Sequence, residues 1–444
     1  MSLKQRYALR PAQKELTHYL TKRRLMGWGL IVWLMREGKT LPVCDWVARH
    51  TTGPVLIVCP KQVMPVWRLE FERTGMMMNG IYILPDSKLS FKEKDAKDGQ
   101  NRLRALRNEL GQNWETIIVD EIHRFRYYKK RYRMLKWLSK NAEFLLGLTG
   151  TPFDKSLYEM YYPMQWLSRE TFWGDGAEIT SKDAFHKVYC ELTNPGRPHP
   201  DWQIKPELYD TVTEQLKLHG SIFRSGKVPV PVHEKVANPL SKAQRRIIEI
   251  VISGTPIGLP ERMADVVSEA AKAIRNNKCT QLYSGFFLDD GEVIGRVPTW
   301  KWWVLLSKVR RLGARTLIWY RYTEESNLIL KFLTTYLPQY VVEKFTTENL
   351  DAFKAGQVDI LLCHPASAGA GVNISHAQAS IFVSHNPKMI DNIQAFFRIS
   401  QYGDETAKTV YHLVANHRLD KENHKKMLAK ENETMRIYNE SKTV

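Results

Sequence analysis

One stretch, residues 27–40 (GWGLIVWLMREGKT), limits what this chain can fold into more than any other. Its apolar run has the length and β-branched content of a strand buried on both faces, as in a parallel sheet. A tight Gly38-Lys39-Thr40 follows. The next segment, TLPVCDWVARH, reads as a helix with Pro42 in its first turn, where a missing N–H is tolerated. A strand ending in a loop that opens a helix is an anion site, because unpaired N–H groups and the helix dipole face the loop. Lys39 adds a point charge for β- and γ-phosphates, and the Thr40 hydroxyl suits magnesium. The full phosphate-loop pattern also places a glycine five residues before Gly38, where this chain has Trp33. A surface turn carrying a lysine is the competing reading of the tripeptide.

The alternation continues along the chain. A lead-in with LRPAQKEL at 9–16 precedes a helix, and strands are expected at 55–59, 115–119 and 144–148. An amphipathic helix with Trp67 and Phe71 one turn apart follows the first of these. Residues 85–112 read as a loop and a helix over 101–110. Between 166 and 240 the rhythm is lost, although 205–218 is helical in pattern, and 240–280 reads as helices. A second series starts near Trp300, with helices at 299–312, 323–336 and 391–398. Its strands are expected at 316–320, 339–343, 359–363, 379–384 and 409–414. Strands alternating with helices at this spacing predict an α/β fold of doubly wound parallel sheets. The expected division is 1–165, a mostly helical insertion and linker at 166–297, a second α/β lobe at 298–420, and a charged tail at 421–444.

In such sheets ligands sit outside the carboxyl ends of the strands. Gly38-Lys39-Thr40, Asp120-Glu121 and Thr149-Gly150-Thr151 all fall there. That set supplies nucleotide hydrolysis, with Asp120 holding magnesium through water and Glu121 polarising the attacking water. Alone, Asp-Glu after an apolar strand is a helix start; at the edge of the same sheet as Lys39, hydrolysis is the better explanation.

A net charge of +18 is the unusual feature of the composition. It suggests a polyanionic partner, through counterion release from phosphates, or else solubility charge spread over the surface. Arginine and lysine mix with aromatics over 124–133, which suits nucleic-acid backbone and base faces, and equally suits one solvated helix face. No apolar run reaches bilayer-spanning length, and the N-terminus has no apolar core of a secretory signal. The five cysteines stand far apart with no Cys-x-x-Cys pair, against a disulfide framework or a zinc site. The expected compartment is reducing cytoplasm.

The order of segments is itself informative. LRPAQKEL, EGKT, LIVCPKQVMPVWRLEF, VDEIHRFR, LGLTGTPF, FRSGKVPVPVHEKV with LSKAQ, RTLIWYRY, SAGAGVNIS and SHNPKMIDNIQAFFRISQYG follow one another at plausible intervals. In this the chain resembles the Swi/Snf-type ATPases of helicase superfamily two, from about residue 8 to about 415. The resemblance implies two RecA-like lobes, ATP with Mg2+ in the cleft between them, and DNA, duplex in the expected case, across both. It implies that Gln13, with Arg10, reads adenine. Gly38, Lys39 and Thr40 would meet phosphates and magnesium, and Asp120 and Glu121 the metal and water. Thr149 and Thr151 would couple the cleft to DNA, with Lys61, Arg124 and Ser367 also DNA-facing. Gly369, Gly371 and Asn373 would line the cleft and DNA track, and Gln394 and Arg398 would face ATP.

Two departures stand out. Arg36 occupies the family's glycine position, two before Gly38, and Gln401 replaces the second arginine of the last motif. An arginine finger is worth about 10³–10⁵ in rate in other nucleotide hydrolases, and glutamine carries no charge to offset the charge that develops. An engineered slow form, a naturally weak ATPase, or recruitment of another arginine would each account for Gln401. The leading expectation is a compact, monomeric, phage- or bacterial-type DNA translocase. The alternative is an ATP-switched DNA clamp with weak hydrolysis. A restriction-system motor subunit shares the same motifs.

Overall fold

The structure, a computed structural model, describes residues 7–75, 80–89, 108–111, 113–127, 129–153, 156–169, 179, 181–193, 202–225, 227–255, 258–269, 272–368 and 372–439. The chain forms two compact units: Met1–Val228 with Ala370–Val372 and Asn432–Val444, and Pro229–Gly369 with Asn373–Glu431.

In the first unit the strands are β1 (Trp28–Trp33), β2 (Val55–Cys59), β3 (Ile81–Pro85), β4 (Thr116–Asp120), β5 (Phe144–Thr149), a small hairpin of β6 (Cys190–Leu192) and β7 (Trp202–Ile204), and β8 (Gly220–Phe223). Six of them make one parallel sheet in the order β3-β2-β4-β5-β1-β8. The runs WGLIVW, VLIVC and TIIVD are buried along their whole length, as strands covered on both faces must be. Helices Pro11–Arg24, Thr40–His50 and Met64–Thr74 cover one face, closing a core of Leu16, Leu20, Val43, Trp46, Trp67 and Phe71 on Ile31, Ile57 and Ile118. The helix expected over 101–110 falls almost wholly outside the described residues.

In the second unit β9 (Val232–Asn238) comes first. A hairpin of β10 (Phe286–Asp289) and β11 (Glu292–Arg296) follows, then β12 (Thr316–Trp319), β13 (Val342–Lys344), β14 (Ile360–Cys363), β15 (Ala379–Phe382) and β16 (Thr409–Ala415). The parallel sheet runs β13-β14-β12-β15-β16-β9. Each unit is therefore built on a six-stranded parallel α/β sheet, as the doubly wound pattern predicts. Helices Lys242–Ser253, Glu261–Glu269 and Lys272–Tyr283 build a satellite core with the β10–β11 hairpin. Three strands of the two six-stranded sheets escape the sequence reading, as do the four strands of the two hairpins. β3, β8 and β9 are edge strands, incompletely buried along their length, and β9 (VHEKVAN) carries charges on that edge. β8 and β9 both come from the stretch 166–297 read as mostly helical, and each completes one of the two sheets.

Two buried polar groupings sit in the second unit. Lys301, in helix Lys301–Leu312, donates to Ser284 Oγ at 2.7 Å and Ser384 Oγ at 2.9 Å, and lies 3.5 Å from Glu325 Oε1. Four histidines form the other. His233 Nδ1 and His412 Nε2 are 2.8 Å apart, as are His412 Nδ1 and His385 Nε2. His233 Nε2 lies 2.8 Å from Glu431 Oε2, and the His424 ring stands 4.9 Å from that of His412. Burial disfavours the charged form of three of them: His385 is pushed down to about 3, His424 to about 4, and His412 well below its usual value. Among the described residues no helix is long and apolar enough to cross a membrane.

Candidate active site

The phosphate loop leaves β1 at Trp33 and enters helix Thr40–His50 after six residues whose backbone is tightly wound. Glu37 N–H donates to the Leu34 carbonyl at 3.2 Å, and both neighbours of Glu37 are left-handed, Arg36 at φ 72° and Gly38 at φ 74°. Arg36 thus adopts the glycine conformation without being glycine, at about 1–2 kcal/mol. A Cβ on Gly38 would lie 2.6 Å from Arg10 Nη2 and 3.2 Å from Gln13 Nε2. Those two side chains hold the loop's backbone: Arg10 donates to the Glu37 carbonyl, and Gln13 Nε2 to the Gly38 carbonyl at 2.8 Å. Gln13 Oε1 in turn accepts the Arg10 N–H at 3.0 Å.

The acidic pair ends β4. Strand register sets Asp120 beside Leu148 and Thr149 beside Val32, so these residues share one carboxyl edge with the loop. Asp120 accepts from Trp67 Nε1 and from the Glu121 N–H, each at 3.0 Å. Burial first, then the neighbouring Glu121, pushes its carboxyl up to about 6, while the Lys39 charge draws it the other way. Glu121 is left-handed at φ 56°. Its buried Oε2 is 3.3 Å from His123 Nδ1 but accepts no hydrogen bond among the described residues. His123 Nδ1 is hydrogen-bonded to Thr149 Oγ1 at 2.9 Å, and Thr149 Oγ1 accepts the Thr151 N–H at 3.1 Å. A Cβ on Gly150 would meet Met35 Cγ at 2.7 Å, so only glycine permits this approach of the Thr149–Thr151 turn to the end of β1. Tyr438 closes the turn from below, donating to the Gly150 carbonyl at 2.8 Å. The Asp120 carboxylate, the Thr40 hydroxyl and the orphaned Glu121 oxygen are hard oxygen donors of the kind magnesium and its waters take.

The first unit thus brings Arg10, Gln13, Gly38, Lys39, Thr40, Asp120, Glu121, Thr149 and Thr151 to one sheet edge. Lys61 is exposed just after β2. Arg124 is committed to Asp86, 2.9 Å from its Oδ2, a carboxylate shared with Arg131 at 3.3 Å. In the second unit Gln394 lies on helix Met389–Phe396 and Arg398 just past it, both buried. Gln401 Oε1 accepts from Ser375 Oγ at 2.7 Å, and Asn373 Oδ1 accepts the Ser375 N–H at 3.1 Å. Ser367 Oγ donates to the His364 carbonyl at 3.1 Å. Gly369 and Gly371 lie outside the described residues. The sequence reading did not single out Trp67, His123, Glu37 or Tyr438. Trp67 reads as packing, His123 stands in the motif unremarked, and Tyr438 sits in a tail that reads as featureless but ends buried.

Comparison with known proteins agrees with this geometry. The model of the family described as "Type III restriction enzyme, res subunit" matches residues 6–154. The zebrafish (Danio rerio) "Chromodomain-helicase-DNA-binding protein 1-like" is 23% identical over 82% of this chain and 36% of its own length. The mouse (Mus musculus) "SWI/SNF-related matrix-associated actin-dependent regulator of chromatin subfamily A member 1" is 21% identical over 88% of this chain and 40% of its own. The chain therefore spans about two fifths or less of the length of these relatives. Among solved structures, the "Sulfolobus solfataricus SWI2/SNF2 ATPase core in complex with dsDNA" is similar at 16% identity and a TM-score of 0.42, covering 98% of this chain and 94% of that one. With the motif series in order and the acidic pair set beside the phosphate loop, the chain is similar to the Swi/Snf-type ATPases of helicase superfamily two.

Proposed function

We propose that the chain is an ATP-driven DNA translocase. The observation that carries this is the convergence of Lys39, Thr40, Asp120 and Glu121 at one edge of the first sheet, with the Lys39 charge felt at Asp120. Lys39 and the loop N–H groups bind the triphosphate. Asp120 and Thr40 hold Mg2+, which when bound neutralises phosphate charge. Glu121, its Oε2 free of hydrogen bonds among the described residues, orients the attacking water. Thr149, tied through His123 to the acidic motif, passes the state of the site toward DNA. Arg398 and Gln394 of the second unit are assigned to nucleotide binding on the order of motifs alone. Duplex DNA is the proposed track, supported by the +18 charge. The first α/β unit is taken as the ATP-binding lobe and the second as the helicase C-terminal lobe. A compact, monomeric, phage- or bacterial-type cytoplasmic motor is part of the same proposal, although the relatives named above are eukaryotic.

A second reading, an ATP-switched clamp that hydrolyses too slowly to travel, is favoured by Gln401, whose side-chain oxygen is engaged by Ser375. Steady-state ATPase with and without duplex DNA separates the two. For the motor, duplex DNA raises turnover and Lys39→Ala or Glu121→Gln abolishes it. For the clamp, DNA binding is nucleotide-dependent while turnover stays flat, and Gln401→Arg raises hydrolysis at least about tenfold. ATP turnover that neither DNA nor Glu121→Gln alters would end both readings.

A further inference from the structure

Glu37 lies inside the phosphate loop, but its carboxylate is spent elsewhere. Glu37 Oε1 accepts both the Ser225 N–H and the Ser225 hydroxyl, each at 2.9 Å, and the residue is only 1% exposed. Glu37 Oε2 accepts no hydrogen bond among the described residues, so Ser225 alone supplies the hydrogen bonds found on this carboxylate. Ser225 follows β8, the strand beside β1, and the pairing of those strands ends at Trp33 with Phe223. The Leu34 N–H then donates to the Phe223 carbonyl at 3.1 Å. The phosphate loop and residues 224–225 therefore leave the sheet side by side. Residues 224–228 are the covalent route into the second unit, which begins at Pro229. Left-handed residues flank Glu37 on both sides, so a change in the peptide planes around Gly38 turns Glu37 as well.

We propose that Glu37 is a positioning residue that couples the state of the phosphate loop to the segment 224–228 through Ser225. The proposal deepens the ATP-binding reading above and rests on it. When a triphosphate draws the loop's N–H groups toward itself, the Glu37 carboxylate moves with them. Ser225 then loses or tightens two hydrogen bonds at the point where the chain crosses to the second unit. Gln401 slows the chemistry in one reading; Glu37 would set what that chemistry moves.

The amide of Ser225 is the direct reporter, because its N–H is one of the two donors. Residue-resolved hydrogen exchange is measured on the full chain with and without ATPγS, at concentrations shown to saturate each variant by displacement of a fluorescent ADP analogue. In the wild type, nucleotide should change the Ser225 exchange rate by about fivefold or more. Glu37→Gln keeps an acceptor oxygen and should keep the response, whereas Glu37→Ala should lose it. Ser225→Ala removes only the hydroxyl donor and should weaken the response at the Lys227 amide, which donates to Ser225 Oγ at 3.0 Å. Protection of the β4 and β5 amides reports whether each variant is folded; if Glu37→Ala is not, Ser225→Ala decides. A wild type that binds nucleotide without altering Ser225 exchange overturns the coupling, as does a folded Glu37→Ala that responds like the wild type. A wild type that binds no nucleotide overturns the ATP reading itself, and the displacement assay shows which has failed.

Discussion

Acid should loosen the second unit through its histidines, and the size of the effect follows from two of them. His385 and His424 are buried and stay neutral at pH 5, since burial holds the first at about 3 and the second at about 4, and His412, also pushed down by burial, acts in the same direction. In the unfolded chain each takes a proton near its ordinary value of about 6.5. Stability is therefore whole above that value and falls as pH drops, by about 1.36 kcal/mol per unit for each histidine, until the folded value is reached. From 6.5 to 5 the loss is about 2 kcal/mol each, or about 4 kcal/mol together, a large part of the roughly 5–15 kcal/mol a domain possesses. Two carboxyls of the second unit bear on this in opposite directions. Glu325, held low by Lys301 and two serines, gives up its share only below the ordinary carboxylate range, and Asp420, raised by burial, acts in the opposite direction. Urea unfolding of the full chain, followed by exchange in β15 and β16 peptides, should show a midpoint roughly 1.5 M lower at pH 5 than at pH 7.5. His424→Gln should halve that pH dependence whatever it does to the midpoint itself. Equal midpoints at the two pH values would mean that the buried imidazoles accept protons in place, and the reasoning would fail.

Three further outcomes can be checked. Gly38→Ala must place a Cβ at positive φ and push Arg10 off the Glu37 carbonyl; at about 2–4 kcal/mol combined, kcat/KM for ATP should fall by roughly thirtyfold to a thousandfold in an ATPase assay. Lys301→Met leaves Glu325 buried without its cation and should cost about 3–5 kcal/mol by urea denaturation, while Lys301→Met with Glu325→Leu should recover most of that loss. DNA affinity should fall linearly on a log–log salt plot, read by fluorescence anisotropy, and a flat plot would remove the charge argument for a polyanionic partner.

Much of this molecule is legible in its sequence because buried parallel strands advertise themselves. The segments VLIVC, TIIVD and ILLC are continuous apolar runs, and each is a central strand. The same logic hid β9, which borders the second sheet and keeps Glu234 and Lys235 exposed, so its pattern looks like a loop with charges. At the candidate site, the strand-end residues that the sequence singles out in the first unit share one sheet edge. Their supports were not legible. Nothing in the spacing of Trp67 to Asp120 announces a hydrogen bond across 53 positions, and nothing links Glu37 to Ser225 across 188. Such partners are chosen by the fold, after the strands have fixed which chain ends lie side by side.

The first unit is assembled from both ends of the chain. Residues from 7 onward supply its sheet, yet Met435, Ile437 and Tyr438 belong to its buried interior, and the second unit is spelled out in between. A ribosome that has finished Val228 must still add about 210 residues before Tyr438 emerges, a delay of roughly 10 to 40 s at ordinary elongation rates. Through that interval the Gly150 carbonyl waits for its donor, while Pro229–Gly369 and the strands that follow can already collapse. The unit made first is the unit completed last, so a chaperone or a nascent-chain protease would meet it with the carboxyl edge of its sheet still lacking a wall.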